Sequence, residues 1–568
     1  MLIGIDLGTT NCLVSIRKDG KTVLVPNEFN EFLTPTAIHI SHNAEITIGK
    51  IALEKKIEEP SRTVSLFKRS MGSDLKYKVG DTRYTSLELS SFMIRKLVAD
   101  VERFTGETVT EAIISVPAYF TDQQRNATRN CGILAGVKVD RIINEPSAAV
   151  LTKLDNDKNE GIFVVFDFGG GTLDVTVVDV FDKIVEILTV SGDNALGGSD
   201  IDRLIFEDVL NKYPQLRKGG RQIEEIILKK SEKLKIKLSE TDCASFQINF
   251  SDEVLQYELS KNKLTLICRP LLLRIRKVIA SALGDAGYTI NDVDDVVCVG
   301  GSSKSYIINE YLKQLFQVEI NQNVNPDEAI VYGLGEMIAI MNRESGKRDI
   351  VITDVCPFSL GTSILGDIFS QIIPKNTTLP VSMTKSYVTV RDNQKKIHFE
   401  VLQGDNMIGS LNEKLSSFEV PVTRLPQGEA QVFVTYGYDI NGILTIHAVH
   451  EKENGKEEVS MTLKTNSFVS DDEIKKSRTK LEKIKPKVYA YSVRQEALLM
   501  RLNNASIESS AYQKDIILKL YQDFIECIHN ESPKTSVEME RKISQVLNDF
   551  DDNKLDVFHL IKDKSRRS

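Results

Sequence analysis

The spacing of apolar and polar residues changes character at about residue 349. Before that point apolar strands alternate with helical segments, the order expected of α/β layers. One helix is predicted from about Leu87 to Phe104, where Leu89, Phe92, Met93, Leu97 and Val101 recur at helical spacing as a core face. From about Cys356 to Phe468 the period becomes two. Ile397-His398-Phe399-Glu400-Val401 and Gln431-Val432-Phe433-Val434-Thr435 alternate, and Asp439-Ile440-Asn441-Gly442 carries hairpin chemistry, so this stretch predicts an all-β module. After Ser470 the pattern turns helical. Ser470-Asp471-Asp472-Glu473 resembles a capping box with acids at the positive end of a helix, and Pro486 should break that first helix. The remainder, rich in Leu, Lys, Glu and Ile, predicts a charged helical bundle.

Within the α/β region a single pattern occurs twice: an apolar run that ends in an aspartate and then a glycine-threonine tip. The first copy is Ile3-Gly4-Ile5-Asp6-Leu7-Gly8-Thr9-Thr10-Asn11, and the second is Phe163 to Asp174 with Asp167-Phe168-Gly169-Gly170-Gly171-Thr172 at its tip. β-Branched and aromatic residues on both sides of the glycines read as the two strands of a hairpin. Either copy alone is an ordinary tight hairpin. Two copies with the same order of roles make a phosphate clamp, because glycine brings backbone N–H groups close, threonine adds hydroxyls and each aspartate can hold hydrated Mg²⁺ through its waters.

Composition narrows the partners. A chain of 568 residues suits three or four domains, and a net charge of −8 without a basic stripe argues against nucleic acid. No leader pattern precedes the strand at residue 2 and no apolar run is long enough to span a bilayer, so the expectation is a cytoplasmic protein with no membrane partner. The seven cysteines are scattered without a C-x-x-C pair, and His39/His42 and His447/His450 lack cysteine partners, so neither disulfides nor a zinc site is expected.

Further motifs carry a resemblance. VPAYF at Val116 to Phe120, RIINEPSAA at Arg141 to Ala149, VGGSS at Val299 to Ser303, NPDEA at Asn325 to Ala329, and VLQGD with KNTT in the β module follow one another in order with the two hairpin motifs. In that order the chain resembles, from end to end, the seventy-kilodalton heat-shock chaperones of DnaK type, and its compact form is similar to the HscC-like branch. The resemblance implies an actin-like (duplicated ribonuclease-H-like) ATPase domain over residues 1–348, a linker over 349–355, a β-sandwich that binds peptides over 356–468 and a helical lid over 469–568. It implies an ATP-dependent chaperone that holds extended apolar segments of unfolded proteins and cycles with Mg-ATP hydrolysis, ATP or ADP and Mg²⁺ being its cofactors and K⁺ an allowed one.

Carried over residue by residue, the resemblance gives Asp6 and Asp167 the Mg²⁺ shell, held through water. Gly8, Thr9, Thr10, Asn11, Gly169, Gly170, Gly171 and Thr172 cradle phosphates. Lys68 is the catalytic lysine that orients the attacking water, with Glu145, Asp167, Thr172 and Asp174 completing the set. At the adenosine end stand Glu232, Lys235 and Ser239, which share a helix face, then Gly300, Gly301, Ser302 and Asp327. Lys304 replaces the family's adenine-stacking arginine, and without a planar guanidinium it should stack more weakly. Read without the resemblance, Lys68 is a solvated charge and the 231–239 run a charged amphipathic face.

The same resemblance makes Pro117 a switch and Arg125 its relay, with Val351 and Ile352 as buried anchors of an apolar linker and Asp354 at its end; Pro117 by itself is only a strand terminator. Arg141, Asn144 and Asp354 match positions that engage a J-domain co-chaperone. The stretch between Lys68 and Val116 is shorter than in DnaK, which puts the usual nucleotide-exchange factor in question. Thr362, Ile364, Leu365, Tyr387, Val390, Ile397 and Phe399 match the peptide groove, with Ile397 at its central pocket. Two other readings compete: a small-molecule kinase of the actin-like fold, and a nucleotide-gated scaffold with little turnover.

Overall fold

The computed structural model describes residues 1–152, 160–181, 184–251, 253–318, 320, 325–344, 347, 350–439, 444–452, 455–463, 471–509, 511–530 and 533–551. The first lobe is built on the hairpin of strands Leu2–Leu7 and Asn11–Lys18, with strand Glu111–Val116 parallel to the first of them and Lys138–Asn144 parallel to that. Helices α1 (Lys50–Glu58), α2 (Ser86–Thr105), α3 (Asp122–Ala135) and α4 (Glu145–Leu151) belong to this lobe. Thr85 and Glu88 form a reciprocal capping box that starts α2 one residue before the predicted Leu87.

The second lobe repeats the plan. Strands Gly161–Phe168 and Leu173–Phe181 make the hairpin, Ile184–Asp193 continues it, and Asp295–Val299 runs parallel to the first strand as Glu111–Val116 does in the first lobe. Helices α5 (Gly198–Lys212), α6 (Gly220–Lys237), α7 (Lys261–Ala286) and α8 (Tyr306–Phe316) follow, and α9 (Ala329–Met341) packs back on α4 and the first hairpin. Consecutive residues such as Val164, Val165 and Phe166 are fully buried because both faces of the sheet are covered there.

Beyond the lobes, two four-stranded antiparallel sheets form a sandwich from Leu360 to Leu463, cored by Val401, Val432, Val434, Tyr436 and Ile446. Residues 440–443, with most of the expected hairpin turn, lie outside the described residues, but the strands on either side pair at Tyr438↔Leu444. The linker is a strand. Val351–Val355 adds in parallel to the edge of the second lobe's sheet, with Val185 opposite Ile352. Val351 is 50 % exposed, so it is not the buried anchor the sequence suggested; Ile352 packs partly against the core, and the backbone ladder carries the rest of the docking.

α10 (Asp471–Leu481) packs Leu481 and Ile474 into the first lobe, while α11 (Val493–Glu508), α12 (Ala511–Asn530) and α13 (Pro533–Asp551) form a bundle around Leu502, Phe524 and Ile543. Ser470 lies outside the described residues. Pro486 does not break α10, which has already ended at Leu481. Instead Lys485–Pro486 forms a short strand parallel to Glu45–Ile48, where Lys485 and Lys487 donate their N–H groups to Ala44 and Ile46. A proline without an N–H fits between two residues whose N–H groups make the ladder.

The sandwich sits on the two lobes. Gln403 accepts the N–H of Asp122 at 3.1 Å, Tyr438 donates its hydroxyl to the Asp122 carboxylate, Lys375 pairs with Asp285 at 2.9 Å, and the Tyr119 and Phe358 rings lie 4.4 Å apart. Burial pushes the Asp122 carboxyl up to about 6, with Glu413 adding to the rise and Tyr438 and Arg125 opposing it. A carboxyl that titrates higher when buried at the interface than in water binds more protons in the docked form. Docking is therefore strongest below the ordinary carboxylate range and weakens as pH rises through about 6. A fluorescence-transfer pair across the two domains should report more docked protein at pH 5 than at pH 8, and Asp122→Asn should flatten the profile.

The groove positions divide. Ile364, Leu365 and Val390 are exposed, whereas Thr362, Ile397 and Phe399 are buried and Tyr387 packs edge-on to Phe399 at 5.4 Å. Ile397 belongs to the sandwich core here rather than to an open pocket, because its strand alternation points it at Val420 and its neighbours. Ile397→Val should accordingly cost about 0.5–1.5 kcal/mol of sandwich stability, read as a shift of the denaturant midpoint without a change in slope.

Candidate active site

The two hairpin tips face each other across a cavity of about 380 Å³ between the lobes. Their approach is close enough to exclude side chains: a Cβ on Gly170 would lie 1.6 Å from Thr10 Oγ1. Gly300 serves the second lobe with φ +79°, and a Cβ there would strike the Phe168 backbone at 2.7 Å. Every residue assigned above to phosphate, Mg²⁺, catalysis or adenosine lines the cavity except Gly171 and Asp174, which stand just behind it.

Lys68 enters on a short 3₁₀ turn, Phe67–Ser70, launched by Leu66 in the left-handed region at φ 58°. Its ammonium is buried, 3.0 Å from Glu145 Oε1 and 5.6 Å from the Phe120 ring centroid. Burial alone would lower its pKa, but the charges of Glu145 and Asp6 hold it above the ordinary value. Around it are Asp6, Glu145, Asp167 and Asp174, all buried. Burial first and Glu145 second push Asp6 and Asp174 up to about 7, and the same causes raise Asp167. Ser115 donates to Asp6 at 2.9 Å and the Tyr119 N–H to Asp174 at 2.9 Å.

This excess of desolvated acid over one lysine is the environment of a divalent cation. Asp167 Oδ2, Asp174 Oδ2 and Thr10 Oγ1 are buried without a hydrogen-bond partner, so their lone pairs are unsatisfied. Among the described residues no group of three or more His, Cys, Asp or Glu side chains is arranged to hold a metal ion directly.

At the end of the cavity that the resemblance gives to adenosine, Lys235 is buried and bound to Asp202 at 2.7 Å and to the Gly198 carbonyl at 3.2 Å, while Ser239 accepts the Tyr306 N–H at 3.1 Å. The Lys304 ammonium is paired with Asp327 at 2.5 Å rather than left free to cover a purine. Sequence reasoning missed Asp202, whose carboxyl burial lifts to about 6; a buried lysine demanding a counter-charge was the available signal. It also missed Arg69, which donates to the Gly170 carbonyl at 3.2 Å and to Asp200 at 2.8 Å, tying the Lys68 turn to the opposite hairpin.

A polar chain leads out of the site. Next to Glu145, Asn144 donates its amide to Asp354 and accepts from Arg125 Nη2, and Arg125 also holds the carbonyls of Ala118 and Phe120 beside Pro117. Asp354 is partly buried, and its loss of water raises its pKa against the pull of Arg125 and Asn144. Arg141 is partly buried near Asp354, with its charged form disfavoured by that burial. Arg141, Asn144 and Asp354 thus come together, with Arg125 at their side.

The family model described as Hsp70 protein matches residues 2–558. The chaperone protein DnaK of Thermotoga petrophila is 36 % identical over 491 residues, covering 84 % of this chain and 82 % of its own. That of Thermosipho melanesiensis is 34 % identical over 573 residues, covering 98 % and 93 %. With a cleft of this construction and matches of this extent, the chain belongs to the Hsp70 family.

Proposed function

We propose that this ATP-dependent chaperone hydrolyses ATP between the two hairpins and uses the linker strand to pass the state of that site to a peptide groove on the sandwich. The reading is carried by one observation: the buried Lys68–Glu145 pair stands among three further carboxylates, Asp6, Asp167 and Asp174, at the meeting point of two glycine tips, and Asn144, the neighbour of Glu145, holds the linker's Asp354. Glycine and threonine groups of both tips bind the phosphates. Mg²⁺, held through water by Asp6 and Asp167, would supply the positive charge that these carboxylates lack and offset charge on the phosphate oxygens. Lys68 meets charge developing on the γ-phosphoryl group, and Glu145, Thr172 and Asp174 orient water for in-line attack, giving ADP and phosphate. A K⁺ requirement is a finer matter that cation titration of hydrolysis addresses.

For the peptide site, Ile364, Leu365 and Val390 supply an exposed apolar rim, while Thr362 and Phe399 are buried and Tyr387 packs on Phe399. Extended apolar segments suit such a rim, and the burial of those side chains supports a groove that opens when the sandwich leaves the lobes. Arg141, Asn144 and Asp354 are proposed for a J-domain co-chaperone, since all three sit at the linker's docking point. Family membership and the sandwich do not favour a sugar kinase, and retention of Lys68, Glu145, Asp167 and Asp174 does not favour a scaffold without turnover. Among the described residues no helix is long and apolar enough to cross a membrane.

Single-turnover hydrolysis of radiolabelled ATP, with and without short apolar peptides, tests the whole reading; the chain has no tryptophan to report on nucleotide. Peptide should speed hydrolysis, and a rate indifferent to every peptide would contradict the reading. Lys68→Ala should keep most Mg-ATP affinity, which rests on the glycine-threonine tips, yet slow hydrolysis roughly 10²- to 10³-fold. Equal losses of affinity and rate would show that Lys68 binds rather than catalyses.

A further inference from the structure

Helix α6 faces two ways. Glu232, Lys235 and, just past its end, Ser239 line the nucleotide cavity, while Lys229, Lys230 and Lys233 point elsewhere and each ends on a carboxylate. Lys229 reaches Glu54 of α1 in the first lobe at 2.9 Å. Lys230 reaches Glu508 at 2.9 Å and Lys233 reaches Asp551 at 2.7 Å, both in the lid bundle. Asn504 of α11 donates to the Glu54 carboxylate and to its carbonyl, each at 2.8 Å, and Asn249 of the second lobe donates to the Glu508 carbonyl. The lid thus rests on both lobes, and Glu54 is the post shared by all three bodies.

These contacts are partly dry. Asn504 is 3 % exposed, and the side chains of Glu508 and Glu54 are 7 % and 14 % exposed. Burial would raise the Glu54 carboxyl, but Lys229 and the Asn504 hydrogen bond hold it below the ordinary value. The bundle packs on the first lobe through α11 against α1, and the chain that leads into it is tied to that lobe by Lys480 on Glu88 at 2.6 Å and by the Lys485–Pro486 strand. For α6 to swing away from the first lobe and free the adenosine end, the Glu508 and Asp551 pairs must break along with Glu54–Lys229.

We propose that the docked lid bundle is a clasp on bound nucleotide, in which Asn504, Glu508 and Asp551 are positioning residues that hold α6 against the first lobe and slow nucleotide release. Departure of the lid from the lobes lifts the clasp and frees α6 to open. The inference rests on the reading of the cleft as the ATP site.

The test uses the full chain preloaded with a fluorescent ATP analogue and chased with excess unlabelled ATP. Lys230→Glu should speed release about three- to tenfold, Glu508→Lys should do the same, and the double variant should return to the unaltered rate, the signature of a charge pair rather than of general weakening. Release from the unaltered chain should also quicken with salt, and less so in either single variant. Single variants that release at the unaltered rate, a double variant that stays as fast as the singles, or salt-independent release would each overturn the clasp. Failure of the unaltered chain to bind the analogue would instead strike the reading of the cleft.

Discussion

The ion pair of Lys68 with Glu145 is the interaction on which the rest of the molecule depends. It is the positive charge facing a cluster of buried carboxylates, and removing one partner of such a pair leaves an uncompensated charge at a cost of about 3–5 kcal/mol. Everything nearby is arranged to keep it in place. Leu66 takes a strained conformation to aim the lysine, Arg69 ties the same turn to the opposite hairpin, and Phe120 covers the ammonium. The cluster that results holds more buried acid than the single lysine balances.

From this pair the path to the linker is short. Glu145 begins α4 and Asn144 ends the preceding strand, so a shift of one moves the other; Asn144 in turn shares Asp354 and Arg125. The linker is held both by its strand ladder and by Ile352 and Val355, which pack against the core, while Val351 stands half in water. Two arrangements of one edge strand are the kind of bistable element that a ligand at either end can bias.

Much of this was legible in the sequence. The paired aspartate and glycine-threonine patterns foretold facing hairpins, helical spacing foretold α2 to within a residue at its start, and period two foretold the sandwich. What escaped depended on partners distant in the chain. Asp202 and Arg69 gain their meaning from Lys235 and the Gly170 carbonyl, neither adjacent in sequence. Alternation placed Ile397 on one face of its strand but could not say whether that face was groove or core. The strand at Lys485–Pro486 has no signal of its own, because it exists only where the edge at Glu45–Ile48 offers carbonyls to it.

The central claim is that Asn144 transmits between the hydrolytic centre and the linker without taking part in hydrolysis. Peptide-stimulated and basal single-turnover hydrolysis of Asn144→Ala, measured beside ATP-induced release of a labelled apolar peptide, test it most directly. The account predicts near-normal basal hydrolysis and peptide affinity, with both the stimulation and the ATP-induced release lost. Full stimulation by peptide in that variant would contradict it.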